Sequence, residues 1–276
     1  MPMSPIFSLG PALLFCPADR PERYASALTK ADAAIIDLED AVLPAAKAAA
    51  RRALVDANLD PERVIVRVNG TDSDEFAADL AALAETRIRT VMVAKAEDAS
   101  ALDAFGGRYD LVALCETARG VQAAPDLARH PRVTALMWGA EDLVASLGGT
   151  SSRDEDGRYR DVARVARAQV LLAAGAAGIT AIDAVHLDIG DGSGLAREAA
   201  DAAASGFGAT ACIHPQQVAV IREAFRPNPQ LVTWAQGVLA AAEGERGVFR
   251  YDGRMIDEPV LRHARSILQR AADGAV

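Results

Sequence analysis

The chain has 276 residues, 51% of them apolar, and a formal net charge of −9, enough for one large hydrophobic core. Its acidity, with basic residues scattered rather than clustered, excludes a general nucleic-acid-binding surface and argues against a membrane-surface role. No apolar run approaches the ~20 residues that span a bilayer, and the N-terminus lacks the basic start and continuous apolar stretch of a secretory signal, so a soluble, cytoplasmic protein is expected.

Short β-rich apolar runs alternate with Ala-rich stretches of helical spacing. ALLFC (12–16) precedes a helical stretch with Pro21 near its start, where the missing N–H costs little. AAIIDL (33–38) precedes the stretch 44–57, which begins at Pro44. VIVRV (64–68), TVMVA (90–94), LVALC (111–115) and TALMW (134–138) follow. A long helix over 159–176 has Gly175 and Gly178 at its stop. AIDAVHLD (181–188) and ATACI (209–213) complete eight predicted strands. They are mostly apolar throughout rather than alternating, as parallel strands covered on both faces are. Eight such units predict a (β/α)8 TIM barrel, with a doubly wound open sheet as the alternative. The segment from about 215 exceeds the eighth unit. It predicts two or three extra helices, broken at Pro227 and Pro229, and a polar turn FRYDGRMIDEP (249–259). One barrel domain over 1–276 is expected, with residues 225–276 as a C-terminal helical extension or lid.

A TIM barrel carries its site at the C-terminal strand ends, and the predicted strands run into charge there. The second gives Asp37, Glu39 and Asp40. The third carries Arg67 and then Asn69, the fourth ends in Lys95 and Glu97, and the fifth in Glu116. The sixth leads through Gly139 to Glu141 and Asp142. The seventh holds Asp183, His186 and Asp188, and the eighth ends in His214. Clustered carboxylates repel unless a cation or shared proton compensates. Arg67 and Lys95 supply part of that charge, and oxygen-only ligands favour Mg²⁺ or Mn²⁺ for the rest. Glu116 and Asp142, at the ends of neighbouring strands, are the natural ligand pair. Arg67, inside an apolar run, requires an anionic partner, and a substrate carboxylate or enolate oxygen is expected. For Asp183, Asp188 and His214 pairing with arginine or helix capping is the expectation, and for His186 a core or supporting place. Trp138 belongs to the pocket floor or to the barrel core. Cys16, Cys115 and Cys212 lack metal-ligand spacing and are expected to be free buried thiols. GTSSR (149–153) is a polar loop suited to a lid, a phosphate contact or plain solvation.

LLFCPADRPERYASAL (13–28), IIDLEDAV (35–42), RVNG (67–70), VAKAED (93–98), CETARGV (115–121), MWGAEDL (137–143), AIDAVHLD (181–188), ATACIHPQQV (209–218) and DGRMIDEPV (252–260) span almost the whole chain. In these pieces and their order the sequence resembles the citrate lyase β-subunit-like branch of the HpcH/HpaI aldolase superfamily. The resemblance implies Mg²⁺ held by Glu116 and Asp142, and Arg67 contacting a carboxylate or thioester oxygen. It implies Glu39 and Asp40 holding metal-bound waters or polarising substrate, and the turn N–H groups of Gly139, Ala140 and Glu141 binding a keto-acid carboxylate. Asp257 matches a position that reaches a neighbouring subunit's site, which implies a homo-oligomer, commonly a trimer. Arg20, Arg23 and Lys30 match a region that binds coenzyme A phosphates. Asp40 stands where relatives acting on free 2-keto acids carry a histidine base, which favours the thioester branch.

The expected reaction is cleavage, or formation, of a 3-hydroxyacyl thioester (citryl, citramalyl or malyl) to a 2-keto acid and an acyl thioester, with coenzyme A as part of the substrate. The alternatives are a β subunit of a multi-protein lyase working on an acyl-carrier protein, an aldolase on free 2-keto acids, and a metal-binding barrel without activity.

Overall fold

The computed structural model describes residues 7–245 and 247–273, and the chain divides at Ile221/Arg222 into two compact units. The first contains β1 (Ala12–Pro17), α1 (Tyr24–Lys30), β2 (Ala33–Asp37), α2 (Lys47–Asp56), β3 (Val64–Val68), α3 (Phe76–Ala84), β4 (Thr90–Val93) and β5 (Asp110–Cys115). It continues with α4 (Ala118–Arg129), β6 (Val133–Trp138), α5 (Ala140–Ser146), α6 (Asp161–Ala177), β7 (Thr180–Asp183), α7 (Gly192–Ser205) and β8 (Ala209–Cys212). The division falls within α8 (Pro215–Phe225).

The eight strands pair in parallel and in chain order. Pairing of β8 with β1, Leu13 opposite Ala211 and Leu14 opposite Cys212, closes the sheet, so the fold is a TIM barrel and not the open sheet. Successive residues of a strand point to opposite faces, and alternate residues such as Leu13, Ile35, Ile65, Met92, Leu114 and Ile182 pack into one buried cluster. The continuous burial of β2, β3 and β6 explains why these runs carry no polar alternation.

Two units depart from the expected pattern. Between β4 and β5 the chain forms only a 3-10 turn over Ser100–Phe105, because Gly106 at φ +63° ends it after one short segment. The seventh strand stops at Asp183, so His186 and Asp188 lie in the loop before α7 rather than in the strand. All three cysteines are buried thiols.

The second unit contains α9 (Pro229–Ala242), β9 (Phe249–Tyr251), β10 (Arg254–Ile256) and α10 (Glu258–Asp273). Ala235, Val238, Ile256, Ala264 and Ile267 form its own small core. The expected polar turn is instead a β-hairpin. Asp252 and Gly253 both take positive φ, +47° and +75°, the combination that matches the twist of two antiparallel strands joined by two residues. Among the described residues no helix is long and apolar enough to cross a membrane.

Candidate active site

All eight strands run the same way, so their C-terminal ends open on one face. A cavity of about 190 Å³ lies there, lined by Asp37, Arg67, Glu116 and residues 139–142, with Phe15, Leu114, Met137, Val185 and Ile213 as apolar wall.

Asp37 and Arg67 are register partners on β2 and β3. The guanidinium donates to Asp37 through Nε (2.7 Å) and Nη2 (2.6 Å), and Asp37 also accepts from the N–H groups of Glu39 (2.9 Å) and Ala41 (3.1 Å). The anionic partner that Arg67 requires is therefore internal. Its Nη1 lies 3.3 Å from Glu39, and its plane stacks 4.9 Å from the centre of the Phe15 ring. Burial works against the charged form, and Asp37, Glu39 and Glu116 outweigh it, holding Arg67 above the ordinary arginine value.

Lys95 follows β4 with φ +49°, a conformation that non-glycine residues rarely adopt. The kink lets one residue serve two sides of the site. Its backbone N–H donates to Glu116 Oε1 at 3.0 Å. Its ammonium pairs with Glu39 and Asp40, and lies 3.8 Å from Asp142. Burial raises Glu39 above the usual carboxylate range against the pull of Arg67 and Lys95. Asp40, with its side chain 60% exposed, stands at the outer end of this group.

Glu116 directly follows β5, with only 3% of its surface exposed. Burial first, then the neighbouring charges of Asp142 and Glu39, push its carboxyl up to about 8, with Arg67 and Lys95 opposing. Gly139 makes its place possible: a Cβ there would meet Glu116 Cβ at 2.8 Å and Oε2 at 3.0 Å. Across that gap Asp142 sits in the first turn of α5, which has no side-chain cap at Gly139. Among the described residues no set of three or more His, Cys, Asp and Glu side chains gathers as a metal site, so the fit rests on the Glu116–Asp142 pair. Five carboxylates here, Asp37, Glu39, Asp40, Glu116 and Asp142, face the two cations Arg67 and Lys95. A hard divalent ion suits that imbalance, and Mg²⁺ takes one or two carboxylates while leaving positions to water or substrate oxygen.

The other expected positions are dispersed. Ala140 and Glu141 line the cavity, and Glu141 accepts from Ser152 Oγ at 2.6 Å, which ties the GTSSR segment to the rim. Arg20 and Arg23 follow β1 at the site end and are exposed, whereas Lys30 closes α1, next to the start of β2. A helix running back antiparallel to its strand carries Lys30 to the opposite end of the barrel, so the three cations do not converge. Asp257 caps α10 in the C-terminal unit, accepting from the N–H of Val260 at 3.2 Å. Asp183 pairs with Arg167, Asp188 closes its own turn onto the N–H of Gly190 at 2.8 Å, and His214 accepts from Gln216 N–H. Trp138 is fully buried and donates to Asp183; it belongs to the core and not to the cavity lining.

Sequence reasoning missed Lys47. Its ammonium is buried and donates to the carbonyls of Leu38 (2.7 Å) and Glu39 (2.9 Å) and to Asn69 Oδ1 (2.8 Å). The available signal was its spacing: Lys47, Ala50 and Leu54 form the buried stripe of α2, so a lysine sits on a core-facing face. The apolar wall was also missed, because strand residues that line a cavity look like any other core residue.

A profile of the HpcH/HpaI aldolase/citrate lyase family matches residues 12–215, from β1 to the start of α8. A citrate lyase subunit beta-like protein of Mycobacterium tuberculosis is 54% identical over 264 residues, 96% of each chain. The human mitochondrial citramalyl-CoA lyase is 33% identical over 273 residues, covering 87% of this chain and 78% of that one. The crystal structure of protein CitE from M. tuberculosis in complex with magnesium, acetoacetate and coenzyme A superposes with a TM-score of 0.91 at 54% identity, over 96% of this chain and 98% of that one. With its barrel closed and its charged rim in place, the chain belongs to the HpcH/HpaI aldolase/citrate lyase family.

Proposed function

We propose that this chain is a Mg²⁺-dependent carbon–carbon lyase acting on a 3-hydroxyacyl-CoA thioester, which it splits into a 2-keto acid and an acyl thioester. The observation that carries this reading is the Glu116–Asp142 pair, set in a small cavity beside Arg67. The relatives' names and the magnesium and coenzyme A bound by the M. tuberculosis neighbour support it.

Glu116 and Asp142 would hold the ion, which would supply Lewis acidity to the substrate's 3-hydroxyl. The N–H groups of Gly139, Ala140 and Glu141 receive the keto-acid carboxylate at the start of α5. Arg67 turns Nη1, the guanidinium nitrogen not bonded to Asp37, to the thioester oxygen, where negative charge develops as the C–C bond breaks. Asp37 and Glu39 fix that guanidinium, and Lys95 pairs with Glu39 and Asp40 and favours their charged forms. Asp40, together with Asp257 of a neighbouring copy in a homo-oligomer, takes the hydroxyl proton and returns one to the enolate carbon. Arg20 and Arg23 meet the phosphates of coenzyme A.

A cleavage assay with malyl-CoA and citramalyl-CoA, with and without Mg²⁺, tests the reading: metal-dependent release of a keto acid is expected. No release from either thioester with the ion bound overturns it in favour of a carrier-protein-linked subunit or a free-acid aldolase. Asp257→Ala leaves Mg²⁺ binding intact and stops turnover, while losing the helix cap lowers stability by about 1 kcal/mol. Calorimetry and turnover read the two effects separately.

A further inference from the structure

We propose that Lys47, which lies behind the cavity and touches none of it, is a positioning residue that sets the carboxylates of the loop after β2; its catalytic consequence rests on the lyase reading above. Lys47 is 8% exposed. Its three ammonium protons are all engaged, by Leu38 O, Glu39 O and Asn69 Oδ1.

In a trans peptide the C=O and the following N–H point in opposite directions. Drawing Leu38 O toward Lys47 therefore turns the N–H of Glu39 the other way, and it donates to Asp37 Oδ1 at 2.9 Å. Drawing Glu39 O toward Lys47 likewise turns out the N–H of Asp40, which donates to Glu39 Oε2 at 2.9 Å. Two successive peptides are thus held from behind by one ammonium and meet two carboxylates in front. Those carboxylates hold the cations of the site: Asp37 takes Arg67 in two bonds, and Glu39 pairs with Lys95 and Arg67. The ammonium is itself fixed. Asn69 donates to Asp79 (2.6 Å), and Asp79 accepts from Arg51 (2.7 Å). An uncharged side chain at 47 would remove the shorter of the two bonds to each carbonyl, leaving Leu38 O with Asn69 Nδ2 at 3.2 Å and Glu39 O with the N–H of Val42 at 3.2 Å, and each peptide plane would be freer to rotate and carry its carboxylate with it.

The test uses the full chain with Lys47→Met, which keeps volume and removes the donors. Hydrogen exchange at the amides of Glu39 and Asp40 is expected to speed up by about tenfold or more, the equivalent of losing one or two hydrogen bonds to a charged group. Mg²⁺ affinity by titration calorimetry is expected to stay unchanged, since Glu116 follows β5 and Asp142 sits in α5, both away from the loop after β2. With a thioester that the wild type turns over, kcat is expected to fall by about 100-fold, the scale of a small misplacement of reacting groups. Unchanged exchange at those two amides overturns the proposal, as does unchanged kcat, or a loss of protection spread evenly over β5 and β6. If the variant does not fold, the wild type still decides: free exchange at Glu39 and Asp40 overturns pinning. Lys47→Arg, which keeps charge and donors, must then show kcat falling in step with exchange at these amides; a fall without that change overturns the proposal. The exchange and calorimetry arms need no substrate, so failure of the lyase reading shows separately, as absent turnover in the wild type.

Discussion

The rim of the barrel has two halves that look alike in composition and differ in partnership. After β7, Asp183 receives Arg167 through Nε and Nη2, both at 2.9 Å, and the indole N–H of Trp138. Arg167 goes on to Asp201 at 2.7 Å. Glu198 is shared by Arg153 and His186. After β5 and β6, by contrast, Glu116 accepts a hydrogen bond from the backbone N–H of Lys95, and Asp142 lies 3.8 Å from an ammonium that Glu39 and Asp40 also claim. A charged residue at a strand end does not identify a site; a carboxylate buried without a cation of its own does.

The largest effect is expected from removing charge in the unpaired half. Glu116→Gln or Asp142→Asn should lower Mg²⁺ affinity and kcat by about 10³-fold or more, beyond the 10–100-fold that loss of an outer partner costs. Titration calorimetry checks it, and normal Mg²⁺ affinity in either variant would break the contrast. Arg67→Met belongs to both halves of the argument, since Arg67 is partnered and also lines the cavity. It should lose about 10²–10³-fold in kcat, as for an oxyanion donor, and destabilise the barrel by leaving Asp37 buried and unpaired; steady-state kinetics and thermal unfolding read the two effects. In the paired half, Asp183→Ala should cost about 3 kcal/mol of stability by leaving Arg167 with Asp201 alone and taking the acceptor from the Trp138 indole N–H, and leave Mg²⁺ affinity untouched. Weakened metal binding there would mean the halves are coupled. The smallest effect is expected at their seam. Ser152→Ala removes the hydroxyl that holds Glu141 and should cost about 1.5 kcal/mol, the low end for a hydrogen bond to a charged group, seen as a small drop in unfolding midpoint.

The legible parts of the site were residues whose type conflicts with their place. Arg67 in VIVRV, and the acids closing β2, β5 and β6, stand out because apolar strands should not end in charge. Lys47 was not legible as a buried cation because it begins an Ala-rich helix, where lysine is ordinary. The strand over 181–188 was drawn too long for a related reason. AIDAVHLD keeps a strand-like composition through His186, yet β7 ends where Asp183 meets Arg167. The hairpin at Asp252–Gly253 carried its Asp-Gly turn signal openly, but a polar surround concealed the three-residue strands on each side.

Local chemistry, repeated eight times, narrowed the architecture to parallel strands with covering segments, and the β8–β1 pairing made it a closed barrel. Each apolar run is buried as a parallel strand covered by the segment that follows, a helix in every unit but the fourth, and each places its last residues on the same rim. Tertiary structure decided which of the rim charges neutralise one another. Asp37 finds Arg67 from 30 residues away and Arg51 reaches Asp79 across 28, through strand register and helix packing that no local pattern encodes. Once those pairs close, Glu116 is left buried without a cation of its own and Asp142 with only the shared ammonium of Lys95.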